Sequence, residues 1–395
     1  MKPTRLPSPC QAKHAGDKFV DKPVDKPVGK LGLTLMAAAL ALPMIRTAHA
    51  ETAPDKGEIS LKILDYQDSQ PGEDRVKVKA NALKVMAPLN EEWSVGATFV
   101  TDSISGASPS FHSYGLSKLR DFRRALDTDV TRYFPHHTLT VGASFSNEAD
   151  YISRAVSVKG SQFSEDKNTT WTAGLGFAND TVSASTGRVR GENKQLVDAL
   201  FGLTQVISSN DIVQLNAGFS HAHGYLSDPY KAFEKRPDER NTYTLLTRWN
   251  HHVNATGGSA RFSYRFFADS WKIRAHTFSA EYTQPFAQGW SVTPILRLYT
   301  QSAASFYVDA DPSIYPFAPN PPAGAQNYAE DQRISAYGAR TLGIKLAKQI
   351  NDDWEADIKL EQYEQRASWR MFGSGSPGLL PFRARTIQLG LSHQF

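Results

Sequence analysis

The chain has 395 residues, 40% of them hydrophobic, with 44 Lys and Arg against 40 Asp and Glu, a formal charge of +4 and a single cysteine. One cysteine excludes an internal disulfide framework and a cysteine-rich metal site. No apolar run reaches the ~20 residues that a membrane-crossing helix needs, so a membrane role would require strands closed into a barrel.

Residues 31–44 form a short apolar run, preceded by Lys30 and followed by Ala48-His49-Ala50. This is the pattern of a secretory signal peptide (residues 1–50), with cleavage set by Ala48 and Ala50 and falling before Glu51. Its N-region is long and carries the tandem Asp-Lys-Pro-Val at 21–24 and 25–28, which places the expected true start inside it. The leader holds 8 Lys and Arg against 3 Asp, leaving 36 basic and 37 acidic residues and a formal charge of about −1. The basic footprint that nucleic-acid binding needs is therefore lost with the leader. Cys10 leaves with it, so the remainder can fold in an oxidising periplasm without a disulfide and has no lipoprotein cysteine.

From Glu58 onward the chain is a series of alternating segments, and four share one wording: Trp93 to Phe99, Leu139 to Phe145, Trp171 to Phe177 and Val213 to Phe219. Apolar residues take every second place, with Ser, Thr, Gly, Gln and Asn between them. A dry core would not tolerate that second face, but a wet lumen would. Strands are expected near 58–66, 75–88, 92–102, 127–134, 138–147, 150–161, 169–178, 194–207, 211–222, 241–251, 258–268, 272–284, 289–304, 332–349, 353–367 and 382–395. This is an all-β class: one transmembrane antiparallel up-and-down β-barrel of about sixteen strands over residues 51–395, with both ends periplasmic. Tight polar turns lead into Trp93, Trp290 and Trp354, as an aromatic girdle at a membrane interface would. The longer connections, 103–126, 226–240 and 309–331, fall on the extracellular side.

Charges mark the faces. Arg75, Lys77 and Lys79 alternate with Val76, Val78 and Ala80, and Glu355, Asp357, Lys359 and Glu361 alternate with Trp354, Ala356, Ile358 and Leu360. A charge facing lipid at mid-membrane costs about 2–4 kcal/mol, so both rows are expected in the lumen. Near the outer rim, Arg383 and Arg385 share the outward face of the last strand, and Lys272 and Arg274 that of Phe278. In 103–126, Leu116, Leu119, Phe122 and Leu126 recur at helical spacing, which predicts a short amphipathic helix carrying Lys118, Arg120, Arg123 and Arg124. Folded against the inner wall, Arg120, Arg123 and Arg124 would form an anion-favouring constriction; packed over the rim, they would meet lipid phosphate or nearby acids. Asp68, Glu73, Asp74, Asp102, Glu148 and Asp150 sit at adjacent strand ends with Arg75 and Arg154, as a salt-bridge network or a calcium site would require. The pairs His136-His137, His221-x-His223 and His251-His252 lack a metal-site motif and are read as structural, so no metal and no cofactor are expected. Neither a zincin motif, a nucleophile elbow nor a phosphate-binding glycine loop occurs, and no enzymatic activity is expected.

The last strand ends on Phe395 after Gln388 and Gly390, with Ile387, Leu389, Leu391, His393 and Phe395 on one face. It resembles the C-terminal strand of bacterial outer-membrane barrels, in which such residues form the signal read by the barrel-assembly machinery. His393 stands where an apolar or aromatic residue is usual. The runs Tyr66 to Arg75, Asp102 to Pro109, Asp127 to Phe134, Asn147 to Arg154 and Leu175 to Asp180 resemble an uncharacterised bacterial outer-membrane barrel family, domain of unknown function 3570. The resemblance implies a fold and an outer-membrane location. The family's frequent neighbours, periplasmic flavin-transfer or thioredoxin-like proteins, hint at a redox context.

The expected function is a porin-like channel or transport-associated barrel for a small polar solute, in contact with outer-membrane lipids and with no nucleic-acid partner. The alternatives are a barrel enzyme acting on lipid or peptide, and a scaffold for a periplasmic or extracellular redox system.

Overall fold

The computed structural model describes residues 52–71, 73–109, 116–184, 186–231, 234–309 and 321–395. The cleavage residues Ala48, Ala50 and Glu51 lie outside the described residues.

Sixteen antiparallel strands close into one barrel, each paired with its sequence neighbours and the last with the first. In order they are β1 (Glu58–Gln70), β2 (Glu73–Asn90), β3 (Trp93–Pro109), β4 (Leu116–Tyr133), β5 (His137–Asn147), β6 (Tyr151–Phe163), β7 (Thr169–Val182), β8 (Glu192–Val206), β9 (Asp211–Gly224), β10 (Glu239–Val253), β11 (Gly258–Asp269), β12 (Arg274–Pro285), β13 (Trp290–Gln301), β14 (Tyr337–Gln349), β15 (Trp354–Arg366) and β16 (Phe382–Gln394). Closure removes the free edges that an open sheet of this size would expose.

The alternation of the sequence becomes two faces. Leu391, Leu61, Leu83, Phe99, Leu126 and Phe145 are successive partners across six strands. Each is 39–46% exposed, far too open for a core residue. This apolar belt covers the outside of the barrel. Trp171, Trp249, Trp290 and Trp354 are exposed near the end where short turns join the strands. Two of those turns are built alike: the Asn90 carboxamide oxygen accepts from the backbone N–H of Glu92 and Trp93, and Asn351 does the same for Asp353 and Trp354. Such turns reverse the chain with the side chain standing in for a backbone acceptor.

Two expectations are corrected. The described residues of 103–126 form no helix, because β3 and β4 pair continuously from Trp93↔Arg132 to Pro109↔Leu116. A spacing of four is also even, so Phe122 and Leu126 fit the outer face of a strand as well as one side of a helix. The row of charges on β2 also changes sides. Val78 and Ala80 face inward, and Lys77 and Lys79 share the outward parity of Leu83 and are exposed. A register shift between Gln67 and Ser69 then turns Arg75 into the wall, where it is buried with Val76 and lies over the Phe382 ring at 5.1 Å. On β15 the expectation holds. Lys359 pairs with Glu361 at 3.0 Å and Asp357 lies 4.0 Å from Lys345, behind the exposed Ile358 and Leu360.

The lumen and its loop-end cap

The inner face carries charge in separate sectors. On β4, Asp127 and Asp129 alternate with the outward Leu126 and Val130 and are themselves exposed to the interior. On the far wall Arg248 (β10), Arg261 and Arg265 (β11) and Arg297 (β13) alternate with the outward Trp249, Phe262, Leu296 and Leu298. Among the described residues the acid facing that group is Glu281 on β12, 3.4 Å from Arg261, whose side chain is still 50% exposed. β4 and β12 are eight places apart in a ring of sixteen, so the two sectors look at each other across the bore. Such an arrangement sets a field across the bore rather than along it.

Small residues make room for the acids. A Cβ on Gly96 would run into the Asp129 carboxylate and one on Gly390 into that of Asp357, while one on Gly343 would sit 2.9 Å from Glu361 Cγ. Gly390, expected as part of an assembly signal, therefore has a packing reason of its own. Gln388 is buried on the same inward face, and Phe395 is 54% exposed with its ring over Gly57.

At the other end from the short turns, the described parts of two long loops fold together and reach across the rim as a cap. The β9–β10 loop and the β13–β14 loop are joined by a bridge between Lys235 and Tyr328. They bury Leu226, Ala304, Ala329 and Ile334 with Trp271 and Ile273 of the β11–β12 turn. Beside this small core, three acids and three bases of the described residues join in one ion cluster. Arg236 donates to Glu234 and Asp331, each at 2.6 Å; Arg333 Nε donates to Asp331 at 2.9 Å and its Nη2 to Asp228 at 3.1 Å; Lys231 lies 3.6 Å from Asp331. Burial alone would raise the Asp331 carboxyl, but Arg333, Lys231 and Arg236 hold it well below the ordinary carboxylate value. Two hydrogen bonds tie the cap to distant parts of the rim: Tyr230 Oη donates to Asp150 Oδ2 at 2.6 Å, and Gln70 to Gln332 at 3.2 Å.

The sequence-expected sites are rearranged by this architecture. The acids divide among separate places. Asp68 is buried, accepting from Tyr66 Oη at 2.9 Å and Val76 N at 3.1 Å. Asp74 is exposed and accepts from Gln67 at 2.7 Å. Asp102 accepts from Arg123 at 2.6 Å. Glu148 and Asp150 come together with Asp121, which the sequence reading had not included, their carboxylate oxygens within 4.8 Å of one another. The Glu73 side chain lies outside the described residues. The three arginines also part: Arg123 points inward to Asp102, Arg124 points outward with its guanidinium 5.2 Å from the Phe122 ring, and Arg120 pairs in register with Ser105, its side chain outside the described residues. The expected inward-folded helix is thus replaced by barrel wall. Among the histidines, His221 bonds Asn241 at 2.7 Å and His251 bonds Asp211 at 2.8 Å, both local strand contacts. The Asp127/Asp129 and arginine sectors were missed, although the signal was present: charges at alternate positions between exposed apolar residues, the pattern recognised on β15.

A family model described as Protein of unknown function (DUF3570) matches residues 32–114, 115–191 and 186–385. No curated protein matches the chain. Among solved structures, CdiB from Acinetobacter baumannii aligns with a TM-score of 0.50 at 8% identity, over 86% of this chain and 61% of that one. A bacterial polysaccharide outer membrane secretin aligns with a TM-score of 0.49 at 9% identity, over 85% and 98%. OccK2 (OpdF) from Pseudomonas aeruginosa, in complex with glucuronate, gives 0.44 at 8% identity, over 86% and 98%. At these identities the likeness concerns the barrel fold alone.

Proposed function

The chain belongs to the family of unknown function DUF3570, and from that membership and its closed barrel we propose a porin-like channel of a bacterial outer membrane that passes a small polar solute. The membrane part of the reading rests on the belt. Side chains such as Val141 and Leu175, 54% and 60% exposed, would leave a continuous apolar band in water, whereas hydrocarbon would cover it. With the aromatic turn end taken as periplasmic, the capped end is extracellular.

The observation that carries the channel reading is the facing of Asp127 and Asp129 by Arg248, Arg261, Arg265 and Arg297. Charges placed on opposite walls keep a bore hydrated and orient a dipolar solute in transit. A sixteen-stranded barrel is wide enough to hold an aqueous channel. The cap over the mouth restricts passage to solutes small enough to pass around it.

The test is electrical. The full chain, purified and inserted in planar bilayers under a salt gradient, is expected to conduct. Asp127→Asn with Asp129→Asn should move the reversal potential toward anions, and Arg248→Gln with Arg261→Gln toward cations. Conductance no greater than that of protein-free lipid, or reversal potentials that ignore both pairs, would overturn the reading. Co-purification of a periplasmic redox protein occupying the lumen would favour a scaffold instead.

A further inference from the structure

The outer face of the barrel holds a second charged site, above the apolar belt across β14, β15, β16, β1 and β2. Glu364 is its centre. Its side chain is 7% exposed and is met by three guanidiniums: Arg340 at 3.0 Å, Arg366 through Nε at 2.8 Å and Arg383 at 3.4 Å. One carboxylate cannot neutralise three cations. Arg340 and Arg383 also keep 49% and 60% of their side chains open. One step toward the belt, Arg385 donates to the neutral Gln67 at 2.7 Å, and Lys77 is the register partner of that same glutamine. Counting the outward Asp65 and Asp74 against Lys79, the described side chains of the patch give six bases and three acids.

Two features separate this patch from scattered surface charge. Arg340 and Arg366 both lie over the Trp369 ring, at 4.6 and 5.0 Å, so an aromatic plane holds the two forks in place before any ligand arrives. The apolar belt also begins directly beneath. Arg385 is followed on its own face by Ile387, 40% exposed, whose register partner on β15 is Leu360, 43% exposed. An anion bound by these arginines that also carried acyl chains would lay those chains along the belt without a break.

We propose that this face binds the phosphorylated headgroup of an anionic membrane glycolipid, with phosphate on the Arg340–Arg383–Arg385 forks and acyl chains on Ile387 and Leu360. Phosphate suits paired guanidiniums because each fork can give two parallel N–H donors to its oxygens.

The experiment titrates the full chain in detergent with a bisphosphorylated lipid A-type glycolipid, with the same lipid after phosphatase treatment, and with inorganic phosphate. The wild-type chain is expected to bind the phosphorylated lipid at least about tenfold tighter than the dephosphorylated one, the scale of one lost charge-assisted hydrogen bond. The variant Arg340→Gln/Arg383→Gln/Arg385→Gln should lose that preference, while Arg274→Gln, an outward base at the rim of β12, should keep it. Equal binding of the two lipids by the wild-type chain overturns the proposal without any variant having to fold. Inorganic phosphate binding as tightly as the lipid would assign the site to a soluble anion, and an equal loss in Arg274→Gln would reduce it to bulk surface charge; either result also overturns it.

Discussion

Tyr230 and Asp150 meet at 2.6 Å although they belong to different rim segments, the loop after β9 and the turn before β6. The bond anchors one side of the cap to the part of the rim where Asp121 and Glu148 also gather. Tyr230→Phe keeps the ring and removes the hydroxyl, and a hydrogen bond to a charged partner contributes about 1.5–3 kcal/mol. In the proposed channel, the variant should give larger and noisier single-channel currents while the barrel's thermal unfolding stays put. Currents identical to wild type would show that the cap does not depend on this anchor.

Asp331 gives the cap a defined response to acid. Its carboxyl is held below the ordinary value of about 3.9. A depressed folded-state pKa contributes stability that is complete above the unfolded value and lost as pH falls through the folded one. The cap should therefore be unchanged from neutral pH down to about 4 and loosen only below that. Proteolysis of the intact barrel between 225 and 238, followed across this range, would reveal it, and cleavage already accelerating near pH 6 would contradict it. Asp331→Asn leaves Arg236, Arg333 and Lys231 without their shared acid and should destabilise the cap by about 3–5 kcal/mol, the scale of a broken buried pair.

The meeting of Gly57 with Phe395 leaves no room for a side chain. Their backbones exchange hydrogen bonds at 2.8 and 3.1 Å, and a Cβ on Gly57 would lie 2.5 Å from the Phe395 ring. Gly57→Val should displace that ring and lower the yield of heat-resistant folded barrel on gels, with Gly57→Ala intermediate. A normal yield for the valine variant would mean that the ring is free to move aside.

Most of the barrel was legible because strand period and membrane period coincide: Leu61, Leu83, Phe99 and Leu126 announce the outer face wherever they occur. Parity alone fails where both faces carry acceptable residues. Val76, Val78 and Ala80 are apolar enough for lipid yet small enough for the lumen, and it is the outward Leu83 further along the same strand, held between Leu61 and Phe99, that sends Lys77 and Lys79 outside. The bulge at Gln67 and Ser69, which reverses Arg75, depends on that same pairing. His393, which stands where an apolar or aromatic residue is usual, stacks on Trp354 at 4.3 Å and so presents a flat ring there. The cap escaped the sequence reading because its ion cluster joins Asp228 and Arg236 to Asp331 and Arg333, residues some hundred positions away along the chain.

The pairing of β1 with β16 also fixes an order of events. A polymer whose first strand must find its sixteenth cannot close its ring before β16 is available, and until then the edges of any partly paired sheet offer unpaired N–H and C=O groups to any other chain. Each partial product is a sticky ribbon, and only the final one is inert. Pairing between unfinished copies therefore rises with the number present at one time, that is, with the rate of production rather than with the amount of finished barrel.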